Sequence, residues 1–216
     1  GSMRNWGTEI AIGITPLKIK DMELNINANI TFQRNKLLSL SGMYNGEMLS
    51  APEYKSLASL DGAGFHGGYN HIVYQMVGQP LGVFYLPHST GLESDGNGGY
   101  TYGIADLNGG GVSLEDGEDR YVAGQAVPKT ILGSNISFRY KRFDLSLQVN
   151  GAFGHKIYNG TSLTYMNMNI FPDYNVMKKA PKQNIKDQTA TDYWLEKGDY
   201  VNFDYVTLGW NVPIEK

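Results

Sequence analysis

The sequence predicts an all-β fold, an antiparallel up-and-down sheet that forms part of a transmembrane β-barrel with long extracellular loops. Three observations predict it. Apolar and polar residues alternate over stretches of about 12 residues. Tight turns alternate with very long connections along the chain. The 27 glycines and 15 tyrosines favour turns and strands over helices.

A first hairpin is predicted from strands at about residues 8–19 and 22–34. The second strand, at about 12 residues and a tilt near 45°, would rise about 28 Å, close to the roughly 25 Å apolar band of a membrane barrel. Strands of soluble sheets are about half as long. One face is apolar, and its residues are Ile10, Ile12, Ile14, Met22, Leu24, Ile26, Ala28, Ile30 and Phe32.

The pattern returns in a second hairpin, with strands at about 131–140 and 143–154 around a tight turn at Lys141 and Arg142. A fifth strand is predicted at about 200–213. Its apolar residues change parity near Asp204, which predicts a β-bulge there.

The two long connections, at about 35–130 and 155–199, are expected to be extracellular loops, because membrane barrels alternate short inner turns with long outer loops. The first is expected to contain strands of its own around 70–86. Residues 1–3 are typical of an expression-tag remnant, which leaves 4–216 as a partial barrel domain.

Charge and cysteine content narrow the classes of partner. The net charge is −3 with no basic stripe, so we expect no nucleic-acid partner. With no cysteine, the chain has neither disulfides nor thiolate metal sites. The four histidines lack a metal-binding spacing and are interpreted as surface residues.

Five short segments, in order, resemble the SusC/RagA family of TonB-dependent transporters. They are Asn5-Trp6-Gly7-Thr8-Glu9, the segment Gly78 to Tyr85, the loop Asp106 to Gly111 followed by Asp119-Arg120, the stretch from Gly124 through Pro128 to Phe138–Leu145, and Val206-Thr207-Leu208-Gly209. The resemblance covers most of the chain.

This resemblance implies an outer-membrane barrel that imports glycans or peptides, is energised through TonB and carries a SusD-like lipoprotein as an extracellular lid. The chain is then an internal fragment that contacts outer-membrane lipid, cannot transport by itself and is not an enzyme. Alone in water it is expected to self-associate, because its apolar face and sheet edges would be open.

The loop after Asp106 is similar to a calcium loop, with Asp106, Asn108 and Asp119 as candidate ligands. The fifth loop position, usually Asp, is Gly110. A glycine-rich turn closed by Asx hydrogen bonds is therefore the alternative. No other cofactor is expected.

Tyrosines in the first long connection are candidates for stacking on a sugar ring. Local packing or anchoring at a membrane interface explains them equally well. The candidate ligand-binding residues are Tyr69, Tyr74, Tyr100 and Tyr102.

A secreted or surface carbohydrate-binding β-sandwich is the alternative to the barrel. Aromatic residues at both ends of the apolar face would favour the barrel. Tyr140, Phe143 and Trp210 are expected at the inner rim, and Phe32 and Phe153 at the outer rim. The opposite face would line a hydrated interior with Asn25, Asn27, Asn29, Asn135, Gln148 and Asn150.

Overall fold

The computed structural model describes residues 1–60 and 70–213, most of them in antiparallel strands. The strands are β1 Ser2–Ile19, β2 Met22–Ser39, β3 Gly42–Tyr44, β4 Glu47–Leu49, β5 Tyr54–Ser59, β6 His71–Met76, β7 Val83–Pro87, β8 Ser89–Ser94, β9 Tyr100–Ile104, β10 Arg120–Gln125, β11 Thr130–Tyr140, β12 Phe143–Phe153, β13 Lys156–Tyr158, β14 Leu195–Lys197 and β15 Tyr200–Trp210. The helices are short: α1 Gly160–Tyr165, α2 Ala180–Gln183, and 3₁₀ turns at Met168–Ile170 and Asp192–Trp194. In the described part of the chain, no helix is long and apolar enough to cross a membrane.

The chain divides into two compact units. The sheet unit comprises residues 5–34, 128–155 and 198–216, and the loop unit comprises residues 1–4, 35–127 and 156–197. The division follows the sequence, because the long strands form the first unit and the two long connections form most of the second.

The sheet unit is one five-stranded antiparallel sheet in the order β1-β2-β11-β12-β15. Its registers are continuous over long stretches: β11 pairs with β2 from Thr130–Phe32 to Tyr140–Met22, and with β12 over the whole of both strands. Each long strand therefore pairs with the next long strand in the sequence, which confirms the predicted up-and-down sheet. Strands β1 and β2 are longer than predicted, and β1 already includes Ser2 and Met3.

The predicted bulge in β15 is confirmed. Tyr205 pairs with Gln148 and Phe203 pairs with Val149, so Asp204 is the extra residue between two neighbouring pairs. An inserted residue exchanges the two faces for the rest of the strand. The insertion explains why the apolar residues of this strand change parity at that point.

The loop unit has its own sheets and its own core. A four-stranded sheet runs in the order β10-β7-β6-β5, and three two-stranded sheets pair β3 with β4, β8 with β9, and β13 with β14. Strands around residues 70–86 were expected; the others were not. The core joins residues from both long connections: Ile72, Phe84, Leu86, Tyr102, Leu163, Ile185 and Ala190.

The β3–β4 hairpin shows a turn signal that the sequence analysis did not use. Asn45 and Gly46 connect the strands with φ values of 48° and 86°. Positive φ at both central residues matches the twist of a two-residue hairpin, and Asn-Gly is its commonest sequence. The dipeptide alone therefore predicts this hairpin.

Candidate functional site

The five-stranded sheet has one apolar face, and its registers arrange that face in transverse rows. Side chains paired in register lie beside each other on the same face. Counted from the tight-turn end, the first three rows are Met22, Tyr140, Phe143 and Trp210; then Leu24, Phe138, Leu145 and Leu208; then Ile26, Ile136, Leu147 and Val206. Beyond the bulge the rows are Ala28, Ser134, Val149 and Phe203; then Ile30, Leu132, Gly151 and Val201; then Phe32, Thr130 and Phe153.

Aromatic residues occupy the first and last rows. Phe143 and Trp210 are stacked, with ring centroids 6.1 Å apart and an interplanar angle of 11°. Phe32 and Phe153 flank Thr130 at the other end. Ten residues of strand separate the two rows, about 33 Å along the strand and about 23 Å in height at a 45° tilt. The register thus puts the predicted rim residues at the two edges of a band of membrane thickness.

Trp6 belongs with this pattern but was not among the predicted rim residues. It has the same parity along β1 as Ile10, Ile12 and Ile14 and is about half exposed. The prediction started the first strand at about residue 8, which left Trp6 outside it. Its parity becomes apparent only because β1 begins at Ser2.

The apolar face is open. Leu208, Val206 and Phe203 keep 75%, 65% and 63% of their surface accessible. Burying a side chain of this kind contributes about 1.5–3 kcal/mol, and soluble monomers rarely expose contiguous apolar patches larger than a few hundred Å². A face of several such rows requires an apolar environment.

The opposite face is polar and is linked by side-chain hydrogen bonds. The Asn135 amide donates to Gln148 Oε1 at 3.2 Å and to Tyr205 Oη at 3.3 Å. Asn150 and Asn202 both donate to Asp204 Oδ1, at 2.5 Å and 3.0 Å. The bulge therefore supplies a shared acceptor to this face.

Small and amide side chains form a shallow depression of about 330 Å³ in the sheet unit. Most of its lining comes from the polar face, including the predicted Asn27, Asn29, Asn135 and Gln148, and Ala11 and Gly13 leave the space open. Amides can donate and accept hydrogen bonds but carry no charge. Such a lining suits a hydrated interior.

In the loop unit, Arg120 is the centre of a buried polar network. Its guanidinium donates to Asp116 Oδ1 at 2.9 Å, to the His71 carbonyl at 2.6 Å and to the Tyr85 carbonyl at 2.8 Å. It also lies 5.3 Å from the ring centroids of both Tyr74 and Tyr85. The network joins β6, β7 and β10 and was not identified from the sequence, because a single Arg carries no sign of burial.

The loop that resembles a calcium loop, from Asp106 to Asp119, is closed by hydrogen bonds from its own backbone. Asp106 accepts from the N–H groups of Gly109 and Gly111, at 2.6 Å and 3.0 Å. Asp119, which is fully buried, accepts from Ser113 at 2.7 Å and from Leu107 and Asn108 at 2.6 Å and 3.2 Å.

Two of the three candidate ligands are joined directly, since the Asn108 N–H donates to Asp119, while Asp106 is bonded to Gly109 and Gly111 of the same loop. The N–H groups, that of Ser113 above all, hold the pKa of Asp119 below its usual range. They are also the Asx hydrogen bonds of the alternative interpretation. Among the described residues, no group of three His, Asp or Glu side chains is suited to a metal ion. Calcium binding at Asp106, Asn108 and Asp119 stays a prediction.

Three of the four candidate ligand-binding tyrosines lie in the described residues, and they differ in exposure. Tyr74 is fully buried and donates to Asp116 at 2.7 Å, and burial raises its pKa. Tyr102 is buried and accepts a 2.7 Å hydrogen bond from the Trp194 indole. Neither ring offers an open face. Tyr100 is 43% exposed and keeps its candidate role, and Tyr69 lies outside the described residues.

A second polar cluster in the loop unit is built on Asp192. Its carboxylate accepts from the Ser89 N–H at 2.7 Å and from the Tyr121 hydroxyl at 2.7 Å, and it contacts His88 Nδ1 at 2.8 Å. Burial and the bond to Asp192 raise the pKa of Tyr121. The His88 side chain is about half exposed, as expected for a surface histidine. The cluster ties the second long connection to the first.

Comparison with known proteins gives relatives along the whole chain. No protein-family profile matches it. It is 25% identical over 234 residues to TonB-dependent receptor P3 of Formosa agariphila, a match covering 99% of this chain and 22% of the relative. It is 21% identical over 220 residues to TonB-dependent receptor SusC of Bacteroides thetaiotaomicron, covering 98% of this chain and 21% of that protein.

Solved structures of the RagAB peptide transporter are similar in fold. One matches with a TM-score of 0.62 at 15% identity, covering 98% of this chain and 23% of that chain. The RagAB peptide importer in its closed-closed state matches with a TM-score of 0.66 at 16% identity, covering 99% and 23%. The predicted all-β fold and the resemblance to SusC and RagA are confirmed. The chain spans about a fifth of the length of these relatives.

Proposed function

We propose that this chain forms part of the barrel wall of an outer-membrane, TonB-dependent importer. The observation that carries the proposal is the five-stranded sheet with an exposed apolar face, an aromatic row at each end of it, and amides on the other face. In the importer the apolar face contacts lipid and the polar face lines the hydrated interior. The cell outer membrane is then its location.

The soluble β-sandwich receives less support. A sandwich covers the apolar face of one sheet with a second sheet packed about 10 Å away. The described strands of the sheet unit form a single sheet, and its apolar side chains stay accessible. Similarity to transporters over nearly the whole chain also favours the barrel.

Transport itself belongs to the parent protein in this proposal. Five strands fall short of the eight or more that close a membrane barrel, so the chain does not transport by itself. We propose a SusD-like lipoprotein and TonB as partners of the parent, and glycans or peptides as its cargo, because its relatives include TonB-dependent receptors and the RagAB peptide transporter is similar in fold. A transport role rather than a catalytic one follows from the same relatives.

Tryptophan quenching tests the lipid-facing assignment, because the three tryptophans lie at different places in the chain. The double variant W6F/W194F keeps only Trp210, in the aromatic row of the apolar face. The double variant W6F/W210F keeps only Trp194, which is bonded to Tyr102 in the loop unit. Each is reconstituted into vesicles with and without brominated acyl chains, and emission is compared.

We expect bromine to quench Trp210 strongly and Trp194 weakly, since contact quenching requires an acyl chain beside the indole. Equal quenching of the two residues would contradict the assignment of faces. Sedimentation of the unmodified chain supplies the second measurement: the barrel segment should form oligomers in buffer and become a detergent-bound species. A monomer indifferent to detergent would favour the soluble binding module.

A further inference from the structure

Residues 165–186 of the loop unit form a basic segment in an acidic chain. The segment contains four lysines, Lys178, Lys179, Lys182 and Lys186, and a single acid, Asp173, whereas the whole chain has a net charge of −3. Residues 56–127, the largest other part of the loop unit, contain several acidic residues and no lysine. The local excess of positive charge is therefore a property of this segment and not of the surface in general.

The fold holds the segment in a fixed form and turns its lysines outward. The N–H of Met177 donates to the Tyr165 carbonyl at 2.8 Å, which closes the segment on the end of α1. Ala180, the first residue of α2, and Ile185, just after this helix, are fully buried and anchor it in the loop unit. Lys178, Lys179 and Lys182 are exposed. No carboxylate of the described residues forms an ion pair with these three lysines.

Three aromatic side chains are exposed in the same segment. Phe171, Tyr174 and Tyr165 keep 58%, 46% and 37% of their surface accessible. Large aromatic rings are usually buried in a packed unit, because each can remove 150–250 Å² from water. Exposed aromatic rings and exposed lysines without an ion pair, all within residues 165–182, indicate a binding surface.

We propose that the basic segment binds an acidic oligosaccharide, with sugar carboxylates paired to Lys178, Lys179 and Lys182 and pyranose faces stacked on Phe171 and Tyr174. The proposal rests on the importer function and names the chemical class of its cargo. It assigns cargo contact to the second long connection, whereas the tyrosines predicted from the sequence lie in the first. Asn175 is exposed and lies in the sequence between the aromatic and the basic residues, and its amide can bond a sugar hydroxyl.

The backbone of the segment favours a sugar over an extended peptide. An extended peptide that binds by strand addition gains its affinity from main-chain hydrogen bonds to an open sheet edge. Residues 165–186 form turns and short helices whose N–H groups bond internally, as Phe171 does to Met168 and Tyr174 does to Ile170. The isolated bridges of Ile185 are made to Tyr100 and Asn167 within the unit. The segment therefore offers side chains but no free strand edge.

Calorimetric titration of the full chain in detergent tests the proposal with trigalacturonate as the probe. The methyl-esterified trimer has the same rings without charge, and pentaglutamate has the charge without rings. The variant K178Q/K179Q/K182Q removes the cations, and F171A/Y174A removes two rings. The matched control K36Q/K55Q/K197Q removes three exposed lysines elsewhere in the loop unit. Emission of Trp194, measured for each variant in the W6F/W210F background, verifies that the unit remains folded.

We expect trigalacturonate to bind more tightly than its methyl ester. The variant that lacks the three cations should bind about tenfold more weakly, as for three exposed ion pairs of about 0.5 kcal/mol each. The F171A/Y174A variant should also lose affinity, and the control should bind normally. The proposal is overturned by absence of binding, by an equal loss in the control, or by pentaglutamate binding as tightly as the sugar. Quenching of Trp210 by lipid is independent of all these results, so the importer function and the cargo class can fail separately.

Discussion

The two units of this chain differ in whether their apolar side chains are buried or exposed. In the loop unit, Leu86, Leu163 and Ile185 are fully buried in a core drawn from distant parts of the sequence. In the sheet unit, Val206 and Leu208 lie in regular rows and stay exposed. Both units are rich in strands, so strand content does not separate them. The difference teaches that a strand's environment is determined by what covers its apolar face.

Polar groups show the same contrast. The loop unit buries a charged guanidinium and supplies it with a carboxylate and two carbonyls. The sheet unit places amides and hydroxyls on an accessible face, where water can complete their hydrogen bonds. A polar substitution should therefore be costly in the interior of the loop unit and mild on the polar face of the sheet.

The largest effect is expected for Arg120→Met in the loop unit. Removing one partner of a buried ion pair costs about 3–5 kcal/mol, and the lower end applies here because the Asp116 side chain is 36% exposed. The His71 and Tyr85 carbonyls lose their donor, and Asp116 keeps the hydrogen bond from the Tyr74 hydroxyl. Urea unfolding in the W6F/W210F background, which follows Trp194, measures the change. Lys55→Met, at an exposed site of the same unit, is the control and should change stability by less than about 0.5 kcal/mol. Equal effects would mean that the network does not stabilise the unit.

The next effect distinguishes the two faces of the sheet at neighbouring residues of β15. Val206→Arg places a charge in the third row of the apolar face and should destabilise the chain in vesicles by about 2–4 kcal/mol. Thr207→Arg places the same charge on the polar face and should cost less than about 1 kcal/mol. The free energies of unfolding of the two variants are compared by urea titration in vesicles, followed by Trp210 emission in the W6F/W194F background. If the two variants lose the same amount of stability, the apolar face does not contact lipid.

A smaller effect, dependent on pH, is expected for Asp119→Asn. Three N–H groups hold the pKa of Asp119 down in the folded state. The stabilisation is therefore present above the ordinary pKa of an aspartate and is lost as pH falls through the lower, folded value. Unfolding midpoints of the loop unit, measured from neutral pH to about pH 3, should fall more steeply for the parent chain than for the variant. Parallel curves would contradict this role of the carboxylate.

The smallest effect tests the calcium hypothesis for Asp106, Asn108 and Asp119. A weak extracellular type of site has a dissociation constant of about 0.1–1 mM, and calcium at about ten times that constant would stabilise the loop unit by about 1.4 kcal/mol. The melting temperature of the loop unit, followed by Trp194 emission in the W6F/W210F background, is measured with calcium and with magnesium. A rise specific to calcium that Asp119→Asn abolishes would support the site. Equal melting in both ions would leave the Asx turn as the interpretation.

The bulge and the rim residues are features of the fold that the sequence predicted. The parity change near Asp204 predicted the bulge, because alternation records which face each side chain occupies. The rim aromatics followed from their places at the ends of long alternating strands. The hairpin at Asn45 and Gly46 was also readable, since that dipeptide has a specific turn geometry.

The loop unit was much less predictable. Its strands are three to six residues long, and alternation over so few residues is weak evidence. Tyr74, Tyr100 and Tyr102 look equivalent in the sequence, yet two are buried and one is exposed. Nothing local distinguishes them, because burial here depends on partners more than 40 residues away, such as Asp116 for Tyr74.

The sequence by itself determined the long strands, their two faces, the bulge and the resemblance to SusC and RagA, because each depends on periodicity or short motifs within a strand or turn. The tertiary structure alone decided that the two long connections share one core, that Arg120 is buried, and that lysines and aromatic rings of residues 165–186 are exposed. These features depend on contacts between segments far apart in the chain, and such contacts leave no periodic trace in either segment.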